Sequence, residues 1–423
     1  KKKKKKKKKK NFFSFPFSLM ICIIFFSNIN VNATQLHLKN DDNNSSWKLT
    51  IKTIANYDAD STFMKFQTGT TSQIAIVDLG DDNSVTNLKN LMGTRKTIDY
   101  LILTHWHKDH CAGLKLSQFY KNFKIKNLFI SGVNFTPNYI KPLLNNKCVD
   151  NIYCFGTYGK GANCSSARKY FGSESSPKVS SSNKNSSIKY CIKGKNITVN
   201  YIDNIKTINK YSTYQIKIIP TLLGNSSSNS TDENNRSLSV IVNSLSATQK
   251  FKVIFPGDNQ ADGLKSILNN SNILNEFESD KPDTTNVIYK ASHHGKARWH
   301  DFLRPVNTES EYSININNIY AQLIENDKDL INYNNKMLLF DMASFSHKYY
   351  NNFNKNNIFK FSAMYIAEKK FINKIKPDTI VGTNWPKNNG EKDELIRKKN
   401  YNFYKRFIDL TSIRNKVSLI NNF

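Results

Sequence analysis

Thr104-His105-Trp106-His107-Lys108-Asp109-His110 follows directly on the apolar run Tyr100-Leu101-Ile102-Leu103. The run reads as a buried strand and the polar stretch as the loop at its end. Three imidazoles and one carboxylate fall between His105 and His110. Imidazole nitrogen and carboxylate oxygen are donors that suit zinc, manganese and iron, and ordering four of them together without a cation is costly. On an extended backbone His105 and His107 project to the same side and can chelate one ion, while Asp109 and His110 on the following turn aim at a second position. The spacing predicts a two-metal site.

An HxHxDH loop after a strand resembles the signature of the metallo-β-lactamase superfamily. That resemblance implies an α/β fold, an αββα sandwich of two mixed sheets flanked by helices, here spanning residues 47–423. It implies further ligands at the ends of later strands. Pro256-Gly257-Asp258 closes the strand Phe251-Lys252-Val253-Ile254-Phe255, where the superfamily places a bridging carboxylate. One oxygen on each of two like cations about 3.5–4 Å apart is chemically sensible. Ile74-Ala75-Ile76-Val77-Asp78-Leu79-Gly80 ends in the Asp-x-Gly whose aspartate resembles the one that braces the ligand loop from behind without binding metal.

Several stretches are similar to the ComEC-like nuclease-domain branch of that superfamily. Val287-Ile288-Tyr289-Lys290-Ala291-Ser292-His293-His294-Gly295 ends in His-His-Gly, and Asn234-Asn235-Arg236-Ser237-Leu238 matches an Asn-x-x-Ser-Leu pattern. Ala59-Asp60-Ser61 stands where that branch has Gly-Asp-Ala or Gly-Asp-Ser. The implied metal ligands are His105, His107, Asp109, His110, Asp258 and His293, with Asp78 behind them. Asp109 is expected to orient the nucleophile and receive its proton, and His294 to touch the substrate or the transition state. The implied cofactor is a pair of divalent ions, zinc first and manganese second. The departure from the wider superfamily is that no histidine lies between His110 and His293, so the first metal has only His105, His107 and Asp258 as evident ligands.

At 423 residues with 39% hydrophobic content, the chain is long and apolar enough for a substantial core. Its formal charge is +29, of which ten charges belong to Lys1–Lys10, leaving +19. Such an excess fits a polyanionic partner. Phe12 to Phe26 is a short apolar stretch broken by Pro16, followed by Val31-Asn32-Ala33. With the basic start this describes a secretory signal cleaved near Ala33, so residues 1–33 are set apart from the fold and no stable membrane span is expected afterwards. Sequons at Asn134, Asn163, Asn185, Asn196, Asn225 and Asn229 fit an exported, glycosylated chain.

Period-two alternation predicts strands at Leu49–Ile54, Ser61–Phe66, Lys126–Ile130, Ile197–Ile202 and Tyr214–Pro220, and helical spacing predicts helices at Val85–Met92, Asn138–Leu144 and Lys392–Phe407. Arg236–Val242 and Phe251–Phe255 form an expected hairpin. Ile375–Gly382 and Val417–Ile420 would complete the second sheet. Residues 148–195, rich in Ser, Gly, Asn and Lys, read as an irregular low-complexity insertion, and 224–235 as another. The first holds Cys148, Cys154, Cys164 and Cys191, which an oxidising compartment could join as two disulfides in any of three pairings. Cys111, against the metal loop, is expected to be a small packing residue.

The function these features imply is a secreted metal-dependent hydrolase, foremost a phosphodiesterase or nuclease acting on nucleic acid. The alternatives are a metallo-hydrolase of carboxylic esters, thioesters or lactams, and a secreted binding protein without catalysis.

Overall fold

The computed structural model describes residues 35–40, 47–55, 59–161, 164–211, 214–224, 233–245, 250–278, 285–292, 367–368, 370–377, 379–381 and 418–420. The first sheet holds β1 (Gln35–Asn40), β2 (Trp47–Thr53), β3 (Thr62–Thr68), β4 (Thr71–Val77), β5 (Thr97–Leu103), β6 (Lys124–Ser131), β7 (Val149–Phe155), β8 (Ser187–Ile192) and β9 (Lys195–Ile202). Their order is β1-β2-β3-β4-β5-β6-β7-β9-β8. The second sheet, in chain order, holds β10 (Lys206–Tyr211), β11 (Tyr214–Ile219), β12 (Ser239–Ser244), β13 (Lys250–Phe255), β14 (Thr285–Lys290), β15 (Thr379–Val381) and β16 (Ser418–Ile420). Both are mixed. β1 to β4 are antiparallel and β4 to β7 run parallel, while β10 to β13 are antiparallel and β13 to β16 parallel.

Three apolar layers follow from the alternation of side chains along the strands. Ala75 and Val77 of β4, Tyr100 and Ile102 of β5, Val240 and Val242 of β12, and Val253 and Phe255 of β13 fill the space between the sheets. The intervening Ile74, Ile76, Leu101 and Leu103 face helices on the outer side of the first sheet. Ile241, Ile254, Val287 and Tyr289 face outward from the second. Parallel strands buried on both faces lose the polar–apolar alternation of a half-exposed strand, which is why Tyr100–Leu103 is continuously apolar.

The outer helices supply matching stripes. α1 (Asp82–Met92) buries Val85, Leu88 and Met92, and its N-cap Asp81 accepts from the Ser84 N–H at 2.7 Å. The short α2 (Lys108–Cys111) and α3 (Ser117–Tyr120) precede α4 (Pro137–Asn145), which starts on a proline and buries Ile140, Leu143 and Leu144. After α5 (Ser165–Glu174), α6 (Ala261–Leu268) and α7 (Ser271–Phe277) cover the second sheet together with residues 370–375. Among the described residues, no helix is long and apolar enough to cross a membrane.

The strands and helices expected around the ligand loop are present within a few residues of their predicted limits. The region 148–195 differs, for it carries β7, α5 and β8 and contributes the far edge of the first sheet. In β8 Ile188, Tyr190 and Ile192 are buried while Ser187 and Lys189 are exposed. The polar residues that read as low complexity are the solvent face of an edge strand. Cys148, Cys154, Cys164 and Cys191 are free thiols here, not two disulfides. Residues 225–232 and the predicted helix 392–407 lie outside the described residues, as do Lys1–Ala33.

Candidate metal centre

The candidate ligands collect where strands of both sheets end, the usual place for a site in an open α/β sheet. Asp78 follows β4, Thr104 to His110 follow β5, Asp258 follows β13, and Ser292 follows β14. His105, His110 and Asp258 offer ligand atoms that all lie within 4.8 Å of one another. All three are buried, at 1%, 0% and 1% exposure. Asp258 Oδ2 stands 3.1 Å from His110 Nε2 and 4.0 Å from His105 Nε2. The His105 and His110 rings are 4.1 Å apart, and the His107 ring is 4.7 Å from that of His105.

Asp78 holds the back of this cluster. His110 donates through Nδ1 to Asp78 Oδ2 at 2.8 Å, and Thr104 donates its N–H to Oδ1 and its hydroxyl to Oδ2, each at 2.8 Å. Both carboxylate oxygens are thereby committed to the loop, which fixes the His110 tautomer and leaves Nε2 facing Asp258. Burial pushes the Asp78 carboxyl up, an effect that His110 partly offsets. His110 is pulled down by burial, yet Asp258 and Asp78 at its two nitrogens outweigh that and hold it well above the usual imidazole range. His105 is held well below that range by burial and then by His110. Its Nε2 is buried and has no hydrogen-bond partner among the described residues. A neutral imidazole nitrogen, unsatisfied and beside a carboxylate, is what a divalent cation requires. The donor set fits a metal.

The loops are locked by backbone contacts as much as by side chains. Asp60 N–H donates to Asp109 O at 2.8 Å, Leu79 N–H to His110 O at 2.8 Å, and Gly80 N–H to Asp60 O at 3.1 Å. A Cβ on Gly80 would lie 1.8 Å from Asp109 O, so only glycine admits this approach. Cys111 packs inside the turn, fully buried, its thiol donating to His105 O at 3.1 Å and pushed well up by burial. It is a packing residue.

Asn234-Asn235-Arg236-Ser237-Leu238 ties the two ligand loops together. Leu238 N–H donates to Thr104 O at 2.8 Å, Asp258 N–H to Ser237 Oγ at 3.1 Å, and the Gln260 and Gly263 N–H groups to Asn235 Oδ1, each at 2.9 Å. Gly257, at φ 67°, makes the turn that presents Asp258, and a Cβ there would lie 2.6 Å from Ser237 Cβ.

Three residues at the site were not singled out in the sequence. Glu233 accepts the Trp106 N–H at 3.0 Å and sets its other oxygen 3.5 Å from His107 Nε2. Lys290 forms a buried ion pair with Asp60. Burial alone would lower its pKa, but Asp60 and then Asp258 raise it, so it is an ammonium ion. A lysine inside the apolar run Val287–Ala291 was the available signal. Glu368, 1% exposed, accepts from the Tyr289 hydroxyl at 2.6 Å. Among the expected residues, Asp109 is half-buried and acts on His105 through its charge. His293 and His294 lie outside the described residues.

Burial raises Glu368 to about 7, partly offset by the bonds from Tyr289 and Ser292. Between its unfolded value of 4.5 and about 7 the native state holds a proton that the unfolded chain has lost. Stability must therefore fall as pH rises through that window, by up to roughly 3 kcal/mol. Urea unfolding of Glu368→Gln is expected to show that slope flattened. An unchanged slope would assign the pH dependence elsewhere.

The family model for the metallo-β-lactamase superfamily matches residues 65–125, from within β3 through the ligand loop to the start of β6. That stretch of the chain is similar to the metallo-β-lactamase superfamily, and the two mixed sheets with flanking helices are consistent with its fold. A candidate metal-dependent hydrolase of Parabacteroides distasonis is similar at 13% identity and a TM-score of 0.33, covering 91% of this chain and 97% of its own. Unliganded yeast PDE1 is similar at 9% identity and a TM-score of 0.37, covering 87% and 95%. No curated protein matches the sequence.

Proposed function

We propose that this hydrolase cleaves phosphodiesters, nucleic acid foremost, with two divalent ions held by His105, His107, Asp109, His110, Asp258 and His293. The observation that carries the reading is the Asn-x-x-Ser-Leu segment. Where the wider superfamily has another histidine, this chain has the pattern that resembles the ComEC-like branch, and its Asn235 and Ser237 organise the Asp258 loop by hydrogen bonds. The excess positive charge of the chain favours a polyanionic substrate. When bound, such ions lower the pKa of water toward neutrality and neutralise charge on the leaving oxygen.

The protein's own groups do the rest. Asp78 and Thr104 keep His110 in one tautomer and one orientation. Glu233 accepts the Trp106 N–H and sets its other oxygen 3.5 Å from His107 Nε2, where it orients that ring. Asp109, half-buried beside the histidines, orients the nucleophile and takes its proton. The apolar residues between the sheets keep bulk water from reaching the ligands from below. Zinc suits this imidazole-rich set, with manganese as the second choice. We place the chain in a secretory route on the pattern of residues 1–33.

The substrate assay compares single- and double-stranded DNA and bis(p-nitrophenyl) phosphate with carboxylic esters, thioesters and a lactam, all with metal-loaded protein. Cleavage of the phosphodiesters is expected. Turnover confined to the acyl substrates would replace the proposal with the acyl hydrolase, and salt-dependent DNA binding without turnover would replace it with the binding protein. Glu233→Gln is expected to weaken metal binding about 10–100-fold, as for other carboxylates that orient a ligating histidine. Competition with a chromophoric chelator measures it, and wild-type affinity would remove Glu233 from the site.

A further inference from the structure

Cys154 lies on β7 and Cys164 is the N-cap of α5. Both are fully buried. Their sulfurs converge on Gly132, for a Cβ there would lie 2.8 Å from Cys154 Sγ and 2.5 Å from Cys164 Sγ. Those two distances together cap the separation of the sulfurs. The Cys164 thiol also lies 3.4 Å from Cys154 O. A glycine is required between β6 and α4 to leave room for the pair.

The other described cysteines are not placed to compete. Cys111 is turned to His105 O at 3.1 Å and Cys148 to Tyr120 O at 2.8 Å. Cys191 is on β8, and β9 stands between it and β7. Two strand spacings of about 4.8 Å exceed the Cα separation of about 7 Å that a disulfide can span. Cys148 precedes the start of β7, while Cys154 lies near its end.

We propose that Cys154 and Cys164 are a dithiol–disulfide pair, the one cross-link that this arrangement of the described cysteines allows. The oxidant class is a low-molecular-weight disulfide such as oxidised glutathione. One protein thiolate attacks it and displaces a glutathione thiolate, giving a mixed disulfide. The second protein sulfur, having lost its proton, attacks the bonded protein sulfur and releases the other glutathione thiolate. The protein pair gives up two electrons, glutathione disulfide gains them, and the two protons end on the released thiols. Burial holds the Cys154 thiol well up, and its bond with Cys164 adds to this, so oxidation belongs to folding and not to attack on the folded surface.

Closing this ring ties the start of α5 to β7, next to the β6 end where Ser131 O accepts the Trp106 indole N–H at 2.9 Å. The cross-link would stiffen the support of the ligand loop at Trp106.

The test refolds the full chain in a series of glutathione redox buffers, quenches with acid, alkylates in denaturant and counts free thiols with peptide mapping. The expected result is a loss of two thiols as the buffer becomes oxidising, a peptide pair joined through Cys154 and Cys164, and a higher unfolding temperature for the oxidised form. Cys154→Ser with Cys164→Ser is expected to remove the redox-dependent change. Retention of every thiol in the most oxidising buffer would overturn the proposal, as would a cross-link joining other cysteines or glutathione adducts alone. Because the count is made on denatured wild-type chain, it does not depend on either variant folding.

Discussion

Asp258→Ala is expected to empty the metal centre and reduce phosphodiester cleavage on the order of 10³-fold, since a bound cation supplies several kcal/mol of charge stabilisation in hydrolysis. Asp258 Oδ2 faces both His110 Nε2 and His105 Nε2, so its removal strips the shared anion from two imidazoles at once. The turn itself should survive. Its anchor is the Asp258 N–H to Ser237 Oγ bond at 3.1 Å together with Asn259 Nδ2 donating to Pro256 O at 2.6 Å, and neither uses the deleted carboxylate. Elemental analysis of metal per chain, with circular dichroism as the check on folding, separates loss of ligand from loss of fold. A folded variant that keeps its metal would show that Asp258 is not a ligand. One that loses metal but cleaves at the wild-type rate would show that hydrolysis does not depend on this centre.

The same residue marks how far the sequence could be read. Tyr100–Leu103 and Val253–Phe255 are apolar because both faces of a parallel or central strand are covered, and a short apolar run ending in His or Asp says where it stops. Asp78 follows the equally apolar end of β4, where it accepts from His110 and from Thr104. The segment 148–195 was not legible. Its exposed Ser, Lys and Asn dilute the period-two signal that Ile188, Tyr190 and Ile192 carry on the buried face. Glu233 and Glu368 were invisible for a different reason. A glutamate has no local signature, and these meet Trp106 and Tyr289 only because the chain returns to them from distant positions.

Lys290 is the sharpest instance, and Lys290→Met is expected to destabilise the protein by about 3–5 kcal/mol. Lys290 and Asp60 are 7% and 3% exposed at their side chains, and they join the second sheet to the segment before β3. Methionine conserves the volume and leaves the Asp60 carboxylate buried near Asp78, with which it shares a cluster including His110. Two carboxylates then stand together without the ammonium that balanced them. Either the chain unfolds more readily or one aspartate takes up a proton, and both outcomes lower stability near neutral pH. Asp60→Asn in the same chain removes the stranded charge and keeps the shape, so the double variant is expected to recover much of the loss. A double-mutant cycle by urea unfolding, run on metal-free protein, measures the coupling. Additive single effects would mean that the pair does not act as a unit. A coupling of several kcal/mol would make this buried cation a permanent part of the fold, balancing the Asp60 and Asp78 carboxylates behind the ligand loop.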